Sequence, residues 1–599
     1  MSLLSRGVAR LAGLGRPLTR KVLVERDLPV PMGDGVICLA DRYAPTGGDG
    51  LPLVLIRTPY GRAASRMYAE IFAARGCQVL VESCRGTFGS GGQWRPFQAE
   101  REDGLATVEW LRRQPWFGGK IGMYGPSYMG FVQWAIAADC PEIGALALQV
   151  TASRPRDMIY PGGVFSLRTM LAWTHLVGSQ ANGVNSARIA IERWRKLPRG
   201  YEQVPLAEAD RQILGNHFPF FQELLRSEHP DAPLWAAMDF SNRVADVTAP
   251  VHMLTGWYDI FLLGQLADFR RLRQAGRQPQ LVIGPWGHTS PGSLVPTVRE
   301  SARFFDTNLR GTAPPAAGDP VRIYLTGAGA WLSLPDWPPP TQQIQLYLHA
   351  SGRLTETGPI HTPPDRYRFD PRDPTPDLGG TSDPGYGPRD NRNLETRPDV
   401  LSYTCGPLEA DIDIAGQPTA ELFARSSLPH TDFFARLCDV SPRGKSTSVC
   451  DGISRISPVG PQPQPDGTHC VQVELWPTAH RFKKGHRLRL LLSSCSHPRF
   501  ARNLGSGEPI GTAASFRAAD QEIFHGPQHP SALTIPVLRR GGPLGTTERK
   551  VPARSDRCGQ YRCSGRSTGR DRCLALVPPG ISRMNMSAVI HLVTCRNSR

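Results

Sequence analysis

Short apolar runs alternate with segments of helical spacing along the first part of the chain. Residues 63–75 have a helical pattern, and Leu105, Val108 and Leu111 give the three-residue spacing of a second amphipathic helix. Apolar runs of strand length lie at 53–56, 77–82, 119–124, 251–256 and 280–284. Strands that alternate with helices are typical of a mostly parallel sheet, so the pattern predicts an α/β fold here.

The pattern changes twice along the chain. Residues 153–247 hold Trp173, Trp194 and Trp235 among helical patterns such as 186–196, which predicts a helical cap inserted into the α/β domain. After residue 344 the apolar runs become short and lie among Pro- and Gly-rich turns, at 345–348, 420–424, 470–475 and 488–492. This pattern of short apolar runs between turns predicts a C-terminal β-sandwich.

We therefore predict five segments. They are the first part of the α/β domain at 20–152, the cap at 153–247, the second part of the α/β domain at 248–343, the β-domain at 344–540, and a basic tail at 541–599. A chain of 599 residues, 40% apolar and 20% charged, is long enough for several globular domains.

Basic charge is concentrated at the end of the chain. Residues 539–599 contain 13 Lys and Arg but only 3 Asp and Glu, which is +10 of the net charge of +16. Because the charge is local, we expect no nucleic-acid partner; a tail that tethers the protein to nucleic acid or anionic membranes is the alternative. The composition of the tail is typical of disorder, and its abrupt change also fits out-of-frame or read-through sequence.

The cysteines and the N-terminus bear on location. Nine of the 13 cysteines are scattered between Cys38 and Cys495 without a C-x-x-C pair, which indicates reduced thiols and no metal site. Residues 1–21 are basic and loosely amphipathic, with no signal-peptide core, and no run is long enough to span a bilayer. We expect a cytoplasmic protein; a membrane-surface role for 1–21 is the alternative.

The segment 124–130 is a candidate nucleophile site. It places Ser127 at a predicted strand-to-helix turn between Gly125 and Gly130, where the hydroxyl would stand above the sheet at a helix N-terminus. Asp259 and His288 follow in the chain order Ser, Asp, His, each just past a predicted strand. Taken singly, the serine fits an ordinary turn, Asp259 a helix N-cap and His288 a loop histidine.

Several motifs together resemble one family, the CocE/NonD group of α/β-hydrolases, which is related to the Xaa-Pro dipeptidyl-peptidases. The elbow has that family's G-x-S-Y-x-G form, and the resemblance runs from about residue 20 to about residue 537. The matching segments include RTPYGR at 57–62, RGTFGSG at 85–91, GWYD at 256–259 and GPWGH at 284–288.

The resemblance implies an α/β-hydrolase fold with a helical cap and a C-terminal jelly-roll domain. It also implies that Ser127 is the nucleophile, His288 the general base and acid, and Asp259 the carboxylate that orients it. The backbone N–H of Tyr128 and the hydroxyl of Tyr60 would form the oxyanion hole, although Tyr60 also fits an aromatic residue packed at a strand end. This chemistry requires neither a metal nor another cofactor.

These residues predict a serine hydrolase, most simply an acyl esterase acting on a small-molecule ester or amide. Relatives that cleave amino-acid esters carry acidic residues where this chain has Phe261 and Leu262, which favours an uncharged acyl group. We expect Phe261 and Trp173 to line the substrate pocket, with core packing as the alternative for Phe261. Ser83 stands where relatives usually have an aspartate. An Xaa-Pro dipeptidyl-peptidase-type aminopeptidase, an acylase, or an inactive hydrolase-like binding protein remain alternatives, and the oligomeric state stays open.

Overall fold

A ten-stranded sheet forms the first half of the fold. The computed structural model describes residues 1–314, 318–381, 386–458 and 463–539. The sheet order is β1-β2-β4-β3-β5-β6-β7-β8-β9-β10, and the strands from β4 to β9 run parallel. The strands are β1 (Val22–Pro31), β2 (Ile37–Pro45), β3 (Leu53–Thr58), β4 (Gln78–Ser83), β5 (Ile121–Pro126), β6 (Ile143–Gln149), β7 (Val251–Tyr258), β8 (Gln280–Gly287), β9 (Val321–Leu325) and β10 (Ala330–Leu334).

The central strands are buried on both faces, as their continuous apolar runs predict. Every residue of β3, β4 and β7 is buried. The helices of this domain are α1 (Leu3–Leu11), α2 (Arg62–Ala73), α3 (Glu100–Arg112), α4 (Tyr128–Ile136), α11 (Leu262–Gln274) and α12 (Leu294–Asn308). Parallel strands of this kind bring the carboxyl ends of β3, β5, β7 and β8 to one edge, where the candidate site residues follow.

A group of helices is inserted between β6 and β7, as the cap prediction required. These are α5 (Arg156–Ile159), α6 (Leu167–Ala181), α7 (Ser186–Tyr201), α8 (Ala209–Leu214), α9 (Pro219–Arg226) and α10 (Pro233–Ala237). Their buried side chains, among them Phe165, Leu171 and Phe221, form one apolar cluster with Tyr128 and Phe261. The cap therefore packs directly on the residues around Ser127.

The remaining strands form a second sheet system of fourteen strands. They are β11 (Thr341–His349), β12 (Arg353–Thr355), β13 (Asp365–Phe369), β14 (Leu401–Thr404), β15 (Ile412–Gly416), β16 (Thr419–Ser426), β17 (Thr431–Val440), β18 (Ser446–Ile456), β19 (His469–Glu474), β20 (Thr478–Phe482), β21 (Arg487–Ser493), β22 (Ala519–Gly526), β23 (His529–Pro530) and β24 (Ala532–Leu538). All but one of the pairs in it are antiparallel, the exception being β12 with β14. The α/β fold with an inserted cap and a C-terminal β-rich domain is thus confirmed.

The sequence patterns missed several elements at the edges of the first sheet. Helix α1 packs on α2 and α12 with Val8 and Ala12 in the core, although residues 1–21 were expected to lie outside the domain. Strands β1, β2, β9 and β10 were not predicted either. The proposed domain boundaries stay a prediction, and the tail at 541–599 lies outside the described residues.

The nine cysteines from Cys38 to Cys495 lie in the described ranges as free thiols, and seven of them are buried. None of the helices in those ranges combines the length and the apolarity that crossing a bilayer requires.

Candidate active site

Ser127 occupies a strained turn between β5 and α4. Its backbone has φ 60° and ψ −125°, a combination that residues other than glycine rarely adopt. The turn is held because the Ser127 N–H donates to the Gln149 carbonyl at 2.9 Å, and the Thr151 hydroxyl donates to the Ser127 carbonyl at 2.8 Å. Both partners belong to the neighbouring strand β6 or directly follow it, so the sheet itself fixes the serine at its carboxyl edge.

The two glycines of the turn permit close approach. A Cβ atom on Gly125 would lie 2.2 Å from Met129 Cβ, and one on Gly130 would lie 2.4 Å from Thr151 Cγ2. Helix α4 therefore meets the chain after β6 at residue 130, and this contact explains why the second glycine comes one residue later than in the common G-x-S-x-G form. Met129 stands where the common form has its second glycine, and its side chain is buried.

His288 connects Ser127 to Asp259. Its Nε2 lies 3.0 Å from Ser127 Oγ, and its Nδ1 lies 2.9 Å from Asp259 Oδ2. A carboxylate only accepts hydrogen bonds, so Nδ1 carries the proton and Nε2 turns a lone pair towards the serine hydroxyl. The three residues follow β5, β7 and β8, and the structure brings them together as the chain order predicted.

Asp259 is fully buried and held in place. Its Oδ1 accepts a hydrogen bond from the Phe261 N–H at 2.7 Å, which leaves Oδ2 for His288. The indole Nε1 of Trp476, between β19 and β20, donates to the Asp259 carbonyl at 3.4 Å. The β-domain therefore contacts the aspartate loop, a relationship that the sequence patterns did not predict.

Tyr60 follows β3 at the same edge of the sheet. Its hydroxyl accepts a hydrogen bond from Trp173 Nε1 at 3.1 Å. Burial raises the pKa of the Tyr60 phenol to about 12, and the hydrogen bond that the phenol oxygen accepts from Trp173 opposes this shift. The phenol is therefore protonated at neutral pH and can donate to an oxygen bound beside Ser127.

Tyr128 begins α4, so its backbone N–H has no acceptor within the helix. Its side chain points into the protein: the hydroxyl accepts from the Phe97 N–H at 2.8 Å and donates to Glu100 Oε1 at 2.6 Å. Glu100 pairs with the buried Arg57 at 3.2 Å, and Arg57 with Glu82 at 2.8 Å. This buried network anchors the side chain of the first residue of α4.

A cavity of about 470 Å³ opens above the serine, between the α/β domain and the cap. Both predicted pocket residues, Phe261 and Trp173, line it, together with Tyr60, Ser127 and His288. The Phe261 ring also lies against the His288 ring, with centroids 5.4 Å apart. Among the described residues that line the cavity, none is Asp or Glu.

The polar residues of this cavity that sequence reasoning missed include His175 and Arg193. Both lie on cap helices, and their helical patterns gave no indication of which face meets the site. No motif marks them, so only the packing of the cap could have identified them.

Ser83 is the last residue of β4. It is buried, and its hydroxyl accepts a hydrogen bond from Arg62 Nη1 at 2.9 Å. Arg62 is also paired with Asp41 at 2.9 Å and with Asp27. The arginine therefore has carboxylate partners in this chain even though residue 83 is not an aspartate.

Known proteins match both halves of this architecture. Residues 34–290 match the X-Pro dipeptidyl-peptidase (S15 family), and residues 316–534 match the X-Pro dipeptidyl-peptidase C-terminal non-catalytic domain. The chain is 30% identical over 580 residues to the cocaine esterase of Rhodococcus sp., and the alignment covers 86% of this chain and 99% of that protein.

Solved structures show the same fold at lower identity. An aminopeptidase from the marine sediment archaeon Thaumarchaeota archaeon superposes with a TM-score of 0.73 at 22% identity, covering 86% of this chain and 96% of that one. A CocE/NonD family hydrolase from Staphylococcus aureus gives a TM-score of 0.65 at 17% identity, covering 86% and 94%. The sequence match to the esterase over nearly its whole length, together with the two family matches, shows that the chain belongs to the CocE/NonD α/β-hydrolases of the X-Pro dipeptidyl-peptidase (S15) group, a family of serine hydrolases.

Proposed function

We propose that the protein is an acyl esterase that works through an acyl-enzyme on Ser127. The observation that carries the proposal is the pair of contacts made by His288, 3.0 Å to Ser127 Oγ and 2.9 Å to Asp259 Oδ2. A serine is a weak nucleophile unless an adjacent base removes its proton, and this base is itself oriented by a buried carboxylate.

Each step then uses groups already in place. Ser127 Oγ attacks the carbonyl carbon while its proton passes to His288 Nε2, and the resulting oxyanion accepts hydrogen bonds from the Tyr128 N–H and the Tyr60 hydroxyl. Collapse of this intermediate breaks the bond to the alcohol, which takes the proton from His288. Water then gives a proton to His288 and attacks the acyl-enzyme, and release of the acid returns the proton to Ser127.

The composition of the cavity supports an ester rather than an amine-bearing substrate. An aminopeptidase has to bind an ammonium group, which is costly to bury without a carboxylate partner. The described lining of the cavity offers no such carboxylate, and Phe261 presents an apolar ring beside His288. These observations favour an acyl group that is uncharged next to the scissile carbonyl.

The test is a panel of p-nitrophenyl esters, acyl amides and Xaa-Pro arylamides, combined with fluorophosphonate labelling of the wild type and of Ser127→Ala. The proposal expects hydrolysis of the esters, weak or no release from Xaa-Pro arylamides, and labelling that disappears in the variant. Absence of labelling in the wild type would overturn it in favour of a binding protein, and a preference for Xaa-Pro arylamides would favour the peptidase.

A further inference from the structure

A polar patch interrupts the apolar wall of the cavity on the cap side. His175 of α6 and Arg193 of α7 both line the cavity, where most other cap residues are apolar. His175 is 1% exposed, and its Nε2 is buried with no hydrogen-bond partner among the described residues. Because a buried polar atom costs free energy when it is unsatisfied, a ligand atom that reached this nitrogen would satisfy it.

Arg193 forms no ion pair with a carboxylate in the described part of the chain. Its neighbours on α7, Arg188 and Lys196, both pair with Glu192, at 2.6 and 2.8 Å. No carboxylate in the described part of the chain lies within ion-pair distance of the Arg193 guanidinium, which lies 5.7 Å from the centroid of the Trp194 ring, and both residues line the cavity. A guanidinium group that lines a cavity in this way is suited to bind an anion through its planar fork of donors.

The protonation state of His175 also suits an anionic ligand. Burial, with a smaller contribution from the charges of Lys196 and Arg193, lowers the pKa of His175 to about 4, while Glu192 opposes this shift. The imidazole is therefore neutral at pH 7, with one N–H donor and one acceptor nitrogen. A carboxylate oxygen would accept a hydrogen bond from that N–H while the second oxygen pairs with Arg193.

We propose that His175 and Arg193 bind a carboxylate at the remote end of the substrate. The preferred substrates are then esters with an apolar group next to the scissile bond, an apolar spacer, and an acid group at the far end. The spacer would lie along the apolar cap side chains of the cavity, such as Trp173 and Leu176. This inference rests on the proposed esterase function.

The experiment compares two series of ester substrates with matched neutral partners. The acyl series consists of mono-p-nitrophenyl esters of linear dicarboxylic acids of four to eight carbons, each beside its ω-methyl ester. The alcohol series consists of acetyl esters of ω-hydroxy carboxylic acids, each beside its methyl ester. The variants are Arg193→Gln, Arg193→Lys, His175→Leu and, as control, Arg195→Gln, which makes the same charge change at an exposed position of α7 outside the cavity.

In one series the wild type should prefer the acid over its methyl ester. Arg193→Gln should lower kcat/KM for the acid roughly ten- to hundredfold, the range expected for a lost charge-assisted hydrogen bond, and leave the methyl ester nearly unchanged. His175→Leu should lower the same preference, Arg193→Lys should keep part of it, and Arg195→Gln should not change it. The series in which the preference occurs shows whether the acid group lies on the acyl or the alcohol side.

Two results would overturn the inference, and they differ. If the wild type hydrolyses the methyl esters but shows no preference for acids in either series, or if Arg193→Gln lowers both partners equally, the carboxylate site is wrong while the esterase stands. If neither series is hydrolysed and the fluorophosphonate does not label Ser127, the esterase proposal fails and this inference fails with it.

Discussion

Trp173 of the cap donates its indole N–H to the hydroxyl of Tyr60 in the α/β domain, at 3.1 Å. The indole occupies a lone pair of the phenol oxygen, so the single phenol proton remains available for an acceptor beside Ser127. The cap therefore does more than cover the cavity. It also orients the side chain that we assign to the oxyanion hole.

Replacement of Tyr60 by Phe should lower kcat by roughly 10²–10³ with little change in KM, because the lost donor acts on the transition state. Trp173→Phe should have a smaller effect in the same direction, since it removes only the orienting N–H and keeps an aromatic ring. Steady-state kinetics on a p-nitrophenyl ester measure both. Tyr347→Phe, whose hydroxyl bonds only Gln345 in the β-domain among the described residues, is the control and should leave the rate unchanged. A Tyr60→Phe enzyme with full kcat would contradict the assignment.

The pKa of Tyr60 predicts how this defect depends on pH. Burial raises the phenol pKa from 10.0 to about 12, so the folded protein holds this proton more tightly than the unfolded chain does. The contribution of the protonated phenol to the free energy of unfolding is present below about pH 10 and is lost as the pH rises through about 12. We therefore expect the ratio of kcat/KM between wild type and Tyr60→Phe to be constant from about pH 6 to pH 10. A ratio that falls towards one below pH 10 would show that the phenol ionises earlier.

Asp259→Asn tests the orientation of His288. The amide offers an NH₂ group and an oxygen in place of two acceptor oxygens, so His288 is no longer forced to carry its proton on Nδ1. We expect kcat to fall by about 10³–10⁴ while the protein remains folded, because the volume of the side chain is preserved. Asp231→Asn, at a side chain 89% exposed on the cap, is the control. Retained activity in Asp259→Asn would mean that another group orients the histidine.

The patterns in the sequence predicted the centre of the molecule better than its edges. Strands β3, β7 and β8 have near-continuous apolar runs because both of their faces are covered, and the site residues follow directly from their ends. Strand β1, in contrast, carries charged residues and a bulge between Glu25 and Leu28 at the exposed edge of the sheet. Neither the two-residue apolar spacing of a half-buried strand nor the helical spacing marks such a segment in the sequence. Its strand conformation therefore depends on pairing with β2.

The parts of the site that escaped prediction come from distant packing. Trp476 reaches the Asp259 loop across 217 residues of sequence, and His175 and Arg193 face the cavity only because of the way the cap helices pack. Local spacing carries no information on such contacts. That Ser127, Asp259, His288 and Tyr60 lie together could be predicted because each belongs to a short motif at a strand end.

Ser83→Ala addresses the departure from the usual aspartate. The change removes a buried hydrogen bond to a charged group, so we expect unfolding free energy to fall by about 1–2 kcal/mol in urea titrations. Activity should stay within about twofold at temperatures where the variant is folded, because Arg62 keeps Asp41 and Asp27 as partners and Ser83 does not line the cavity. A large loss of kcat at unchanged stability would show that the hydroxyl serves the reaction.

Deletion of residues 541–599 should leave both kcat/KM and Tm unchanged. The last strand, β24, ends at Leu538 and pairs with β11, β15 and β16, so the described sheets are complete before the basic tail begins. A deletion from residue 532 onwards is the matched control: it removes β24 as well and should abolish cooperative unfolding, because β11 and β16 then lose a shared neighbour. Binding to DNA and to anionic vesicles, measured at low and high salt, completes the test. Salt-sensitive binding that the shorter deletion removes would support the tether, whereas a lower Tm or a lower rate would contradict the expectation that the tail lies outside the folded enzyme.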